Sequence, residues 1–400
     1  MPKKVTVILH WNTDYAEIPR KELSNVVNMS YNPMVTAIEE WHSGKVLFNI
    51  TGHTFQYLEQ HYPELLDRIA TLVKDGIIEL TGTGFSHPIL PLLPKERVKK
   101  QISDHLKYIE KRFNKRPKGF WPPELAVSPF VCNEIKAQGI DWIVIDYEHF
   151  ELCQWFGNDL NAFERREKTI TEILIDAFWA KGLQKIITYL RAMKTLRQAN
   201  RKYINPLKRI TIGENTSLKA YLSAVSWTYS TQFAVGGQIP LYGIRQHMKE
   251  IMKVESKILP LYGSDIEFFG YRELGPTPAK PRVFIQFLEQ LEKKGITTIS
   301  PSELPQESWA SQADFLSTGS WSPDKSLRIW TESEDNKEFL RRSREIYGRL
   351  KALNWDNTIL TQIEPELRIL ENSDSRGWAP LPERKQEAYS AMLKIYEILE

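Results

Sequence analysis

The sequence predicts an α/β barrel followed by a helical C-terminal region, and three observations predict it. Over the first two thirds of the 400 residues, short β-branched or apolar runs alternate with longer amphipathic stretches, the pattern left by a parallel sheet with crossover helices. Nearly all of the candidate strands end in polar or aromatic residues, and strand C-termini are where such barrels place their chemistry. Beyond Pro305 the strand signal fades and helical periodicity with dense charge takes over.

In chain order the candidate strands are Val5 to His10, Lys45 to Thr51, Ile77 to Gly84, Gly119 to Glu124, Asp141 to Glu148, Ile258 to Asp265 and Thr297 to Pro301. Thr54 to Lys74 sets Leu58, Leu65, Leu66, Ile69, Leu72 and Val73 at helical spacing, with Gly76 as a stop signal. Lys95 to Phe113 repeats the pattern with Val98, Ile102, Leu106, Ile109 and Phe113 on one stripe. Both are expected to be crossover helices. From about 150 to 221 the alternation gives way to Lys/Arg-rich helical sequence, expected to be an insertion after a barrel strand. The expected division is a catalytic barrel over 1–304 and a helical domain over 305–400. Within the latter, Asn336 to Leu353 and Pro382 to Leu399 are the helical stretches, and Glu371 to Pro382 is a Ser/Asp/Gly/Pro-rich loop.

Composition excludes several classes. Apolar residues at 42% and charged residues at 26% are ordinary for a soluble globular chain. The 53 basic and 50 acidic residues are spread along the whole length, so no basic stripe exists to track a phosphate backbone, which argues against a nucleic-acid partner. Cys132 and Cys153 are the only cysteines, too few for a disulfide framework or a four-cysteine zinc site. The apolar run near the N-terminus is broken by His10, too early for a signal peptide or a membrane span, so a cytoplasmic protein with no membrane partner is expected. The eight histidines include no pair three to five positions apart, which removes the usual local metal-ligand spacings though not a dispersed site. No GxSxG, Walker or GxGxxG motif is present, so Ser-nucleophile, nucleotide and dinucleotide chemistries are not expected, and on the histidine spacing no metal is.

Three segments remain with chemical content. In GFWPPELAVSP, Trp121 leads into Pro122 and Pro123, which fix the backbone, end the strand and hold Glu124 at a rigid corner. Glu124 there suits a nucleophile, or an acid capping the next helix. In ILPLYGSDIEFFGYR, Asp265 and Glu267 stand beside Phe268, Phe269 and Tyr271. Acids beside aromatics suit a sugar, which offers hydroxyls to carboxylates and C–H faces to rings; a turn or cap role for Asp265 is the alternative. In GTGFSHPILPLLP, His87 follows a tight strand exit, as His10 with Trp11 ends the first strand. Strand-end histidines can bind metal, hold a hydroxyl or be satisfied within the fold.

These segments resemble glycoside hydrolase family 57, retaining enzymes acting on α-glycosides. His10 with Trp11, GTGFSHPILP, GFWPPELA, YGSDIEFFGYR and SDSRGW are similar, in that order, to the family's five conserved regions. The resemblance implies an incomplete (β/α)7 barrel with a C-terminal helical domain, and an enzyme needing no cofactor. It implies Glu124 as nucleophile and Asp265 as general acid/base, with His10 and Trp121 and His87 in the substrate pocket. Trp11, Glu267, Arg376 and Trp378 complete the expected substrate-binding set, the last two through a C-terminal loop reaching the site. The family's first region usually reads His-Gln-Pro; here it reads His10-Trp11-Asn12. In many relatives a glutamate stands where His87 lies. The expected function is hydrolysis or transglycosylation of α-linked glucosides or galactosides, with 4-α-glucanotransferase activity included. An oligosaccharide or polysaccharide is then the substrate, and the oligomeric state is left open. A metal-dependent polysaccharide deacetylase and a non-catalytic carbohydrate-binding homologue are the alternatives; the histidine spacing counts against the first and the presence of both acids against the second. Asp265 is expected to hold the pair's proton while Glu124 stays ionised.

Overall fold

The computed structural model describes residues 2–157, 168–180, 182–202, 205–214, 216–236, 243–272, 279–377 and 380–400. Its strands are β1 (Lys3–Val5), β2 (Val7–Trp11), β3 (Val46–Ile50), β4 (Ile78–Leu80), β5 (Gly119–Phe120), β6 (Trp142–Asp146), β7 (Leu207–Gly213), β8 (Thr216–Ser223), β9 (Tyr262–Asp265) and β10 (Ile296–Thr298). One sheet has the order β4-β3-β2-β9, a second β5-β6-β8-β7, and β1 pairs with β10. Every pairing is parallel except β7 with β8. Single parallel bridges, Gly82 with Phe120 and Ser223 with Leu261, join the two larger sheets on both sides. The regular ladders themselves do not run round as a closed barrel.

The alternation of side chains along each strand stacks the interior in layers. Ile8, Leu47, Val144, Tyr221 and Leu261 belong to one buried apolar cluster. Two residues further along, on the same faces, stand His10, Asn49, Asp146, Ser223 and Gly263. In register, His10 lies opposite Asn49 on β3 and Asp265 on β9, and Asp146 lies opposite Ser223. The apolar layer closes the interior from below and leaves a row of polar groups at the strand C-termini.

Helices cover the outside of the sheets. The stretch expected as one helix from Thr54 to Lys74 is two, Gly52–His61 and Pro63–Lys74, because Pro63 bars helical geometry at Tyr62. Lys95–Phe113 forms as expected. The segment expected to be helical up to 221 is helical only to Lys202; β7 and β8 follow, and β8 is an interior strand of its sheet. Near the C-terminus, Glu334–Ala352 and Pro382–Leu399 are joined by a third helix, Asn357–Glu371, that contains Pro365. Phe339, Ile346, Ile363, Leu367, Met392 and Ile395 form a core between these three. Buried Arg97 ties this bundle to the sheet-covering helix 95–113 through Glu371 (2.6 Å) and Glu364 (2.7 Å). No described helix is long and apolar enough to cross a membrane.

Candidate active site

A cavity of about 390 Å³ opens where the strand C-termini meet the C-terminal helices, within the range of small-molecule sites. His10, His87, Trp121, Glu124 and Asp265 all line it, joined by Asp146, Ser223, Arg272, Trp321, Trp330, Ser373 and Asp374. The carboxyl groups of Glu124 and Asp265 thus reach one space from the ends of two different strands.

Glu124 is held by backbone geometry and by one turn. Pro122 keeps the chain extended (φ −62°, ψ 135°), and Glu124 then enters the left-handed region at φ 57°, a conformation costing a non-glycine residue about 1 kcal/mol or more. Trp321 clamps it twice: its backbone N–H donates to the Glu124 carbonyl at 3.3 Å, and its indole N–H donates to the carboxylate. The turn that carries Trp321 is anchored by buried Lys325, whose ammonium donates to the Trp321 carbonyl (3.2 Å) and to Thr171 (3.0 Å). The same ammonium pairs with Asp146 (3.2 Å) and Glu148 (3.1 Å). Burial pushes the Glu124 carboxyl up to about 7; His87 and the indole donor oppose the rise, while Asp374 and Asp265 add to it. The expectation that Glu124 stays ionised is therefore corrected, because desolvation outweighs the nearby donor and histidine.

Asp265 sits in the opposite setting. It ends a regular strand, its side chain is 37% exposed, and Arg272 donates to it at 3.0 Å. The Arg272 guanidinium lies 4.6 Å from the centre of the Tyr15 ring.

His87 also adopts a left-handed backbone, at φ 55°. Its Nδ1 is 2.9 Å from the Ser373 hydroxyl, 3.4 Å from Asp374 and 3.9 Å from Glu124. Burial opposes its charge, yet Asp374, Glu124 and Asp265 together raise its pKa. Asp374 in turn accepts from Asn12 (2.9 Å) and from the Ala16 N–H (3.2 Å), so the C-terminal loop is pinned against the segment after β2. Among the described residues, His87, Glu124 and Asp374 bring possible metal-ligand atoms within 4.8 Å of one another. Both acids lie within reach of His87 Nδ1 and both raise its pKa, so the trio sets one histidine between two carboxyl groups. Trp121 stacks over His10 (6.3 Å, 12°) and crosses β9 at Gly263, where any Cβ would stand 2.1 Å from the indole.

Three expected site residues are buried elsewhere. Trp11 follows His10 on β2 and therefore faces the other side, packed on Tyr31 (4.4 Å) and Phe48 (4.8 Å). Glu267 is fully buried behind β9, accepting from the Tyr31 hydroxyl and the Asn12 N–H; burial pushes its carboxyl up to about 8. Arg376 turns away over Phe339 (4.8 Å), donates to the Glu371 carbonyl, and burial pushes it down to about 10. Neighbouring Ser373, Asp374 and Gly377 line the cavity instead. Trp378 lies outside the described residues. The sequence reading missed Arg272, Trp321 and Trp330. The Gly319-Ser320-Trp321-Ser322-Pro323 stretch carried the same signal as the loop at 371–382, a tryptophan within turn-forming residues.

The sequence profile of glycosyl hydrolase family 57 matches residues 3–313. The chain belongs to that family. A 4-α-glucanotransferase of Thermococcus kodakarensis is 30% identical over 291 residues, 68% of this chain and 42% of the relative. The corresponding protein of Thermococcus litoralis is 23% identical over 281 residues, covering 67% and 41%. The chain thus spans less than half the length of these curated relatives. A solved family 57 branching enzyme of Thermococcus kodakaraensis superimposes with a TM-score of 0.69 at 13% identity, covering all of this chain and 90% of that one. It shows that the fold is shared.

Proposed function

We propose that this family 57 chain acts on α-linked glucosides or galactosides, with α-glucans preferred, by retaining hydrolysis or transfer. The carrying observation is that Glu124 and Asp265 line one cavity, the pair of carboxyl groups that glycoside cleavage uses; the retaining course is what the resemblance to family 57 implies. The names of the relatives, 4-α-glucanotransferase among them, support α-glucans as the substrate class. Glu124 attacks the anomeric carbon and forms a glycosyl ester while Asp265 gives its proton to the departing oxygen. Asp265 then takes a proton from water or from a sugar hydroxyl, whose oxygen displaces Glu124. Attack needs the ionised form of Glu124, which His87 and the Trp321 indole favour. Trp121, half-buried in the same cavity, offers an apolar face to the sugar ring. With this reading goes a (β/α)7 barrel over 1–304, supported by the two single bridges joining the sheets, and a helical domain over 305–400.

The test is to incubate the protein with maltooligosaccharides and aryl α-galactosides and follow the product anomer by proton NMR. The α-anomer is expected first, with products longer than the substrate if transfer dominates. A β-anomer appearing first, or no turnover of any α-glycoside, overturns the reading.

A further inference from the structure

Asn49 is assigned no role by anything above, yet its geometry decides what the adjacent histidine can do. Its carboxamide is oriented at the donor end: Nδ2 donates to the Thr81 hydroxyl at 2.9 Å and to the Gly82 carbonyl at 3.2 Å. A carbonyl only accepts, so the amino group lies on that side and Oδ1 faces His10 Nδ1, 2.7 Å away. Oδ1 also only accepts, so the His10 proton resides on Nδ1 and a neutral ring carries a lone pair at Nε2. Nε2 is buried with no partner among the described residues, while the ring lines the cavity.

We propose that Asn49 is a positioning residue that fixes the His10 tautomer, so that the cavity meets its ligand there with a hydrogen-bond acceptor and selects a sugar hydroxyl over a carbonyl, carboxylate or sulfate oxygen. This deepens the function proposed above and rests on it for the ligand, but not for the tautomer. The groups facing His10 are Asn49 from β3, Asp265 from β9, Trp121 after β5, His87 stacked at 5.0 Å, Tyr15 and Asp374. Burial and neighbouring His87 keep the ring neutral, with a pKa pushed down to about 4, against the pull of Asp265, Asn49 and Asp374.

Nitrogen-15 NMR of the histidine-labelled protein, with His10 assigned by comparison with His10→Gln, tests the tautomer without any substrate. A protonated Nδ1 and a bare Nε2 that hold from pH 5 to 8 are expected; a protonated Nε2 at pH 7 overturns the proposal. Asn49→Asp sets a carboxylate against Nδ1, which favours the imidazolium and turns Nε2 into a donor. A sugar hydroxyl can turn and accept from that donor, so the direction of the contact is read with deoxyfluoro maltotrioses, whose fluorine only accepts. One of them is expected to lose about tenfold or more in kcat/KM on the parent enzyme and to lose less on Asn49→Asp, whose KM gains a new ionisation in its pH profile. A folded Asn49→Asp enzyme with the deoxyfluoro profile and the pH profile of KM of the parent overturns the proposal. Should that variant fail to fold, Asn49→Ser and the NMR of the parent protein still decide it. A bare Nε2 in a protein with no activity on any α-glycoside supports the tautomer while overturning the function.

Discussion

The two acid-bearing walls of the cavity are built in contrasting ways. Glu124 stands on a strained, proline-led corner, half-buried with its side chain 18% exposed, against an indole donor and a histidine. Asp265 stands at the end of an unstrained strand, partly exposed and paired with an arginine. Burial dominates on the first wall and pushes the carboxyl up to about 7; a charge partner dominates contact on the second. Two carboxyl groups in one cavity therefore differ through what touches them, which is how one site separates a nucleophile from an acid.

The contrast can be broken most sharply at the acids themselves. Glu124→Gln is expected to lower kcat by about 10³-fold or more on every substrate, since an amide cannot form the proposed ester. Asp265→Asn is expected to cost about 10² to 10⁴-fold on maltooligosaccharides and much less on an aryl glycoside whose leaving group needs no proton. Equal losses for both substrates in steady-state assays would remove the acid role from Asp265.

A milder change acts on the buried wall alone. The Trp321 indole favours ionised Glu124, so Trp321→Phe is expected to move the acidic limb of kcat/KM to higher pH and to cost about tenfold near pH 6. An unmoved limb would mean that the clamp is not electrostatic.

Glu267 offers a control behind the same strand as Asp265. Its carboxyl, pushed up to about 8, keeps a proton that the unfolded chain has already lost from about pH 4.5 upward, so it lowers stability increasingly as pH rises between those values. Glu267→Gln retains the acceptor for Tyr31 and Asn12 and removes that slope. Its Tm relative to the parent is expected to climb steadily from pH 5 to 8, with little change in KM. The smallest kinetic effect belongs to Trp11→Phe, which loosens packing on Tyr31 and Phe48 and is expected to lower Tm while leaving KM within about twofold. A large KM change would return Trp11 to the site.

Where local sequence dictates backbone, the reading was legible. The Pro122-Pro123 corner announced Glu124, and the apolar run into Gly263 and Ser264 announced Asp265, because prolines and strand-ending patterns act within a few residues. The hairpin of β7 and β8 was not seen, since its alternating residues lie beside a Lys/Arg-rich helical stretch and their pairing depends on β6. The helix Asn357–Glu371 was hidden by Pro365 for a similar reason, its stability coming from Leu367, Leu370 and the facing helix 382–399.

Sequence alone determined that this chain alternates strands and helices, which strand ends bear acids and histidines, and that segments resembling family 57 regions run in order along it. Tertiary structure decided which of those side chains meet. His10 and Trp11 are neighbours that β-strand alternation sends to opposite faces. Glu267 lies two residues from Asp265 and is sealed behind the strand, whereas Asp374 arrives from more than a hundred residues away to stand beside His87. Propensity and pattern act over a few residues, while the field at a carboxyl group is set by burial and by charges brought close only when distant segments pack.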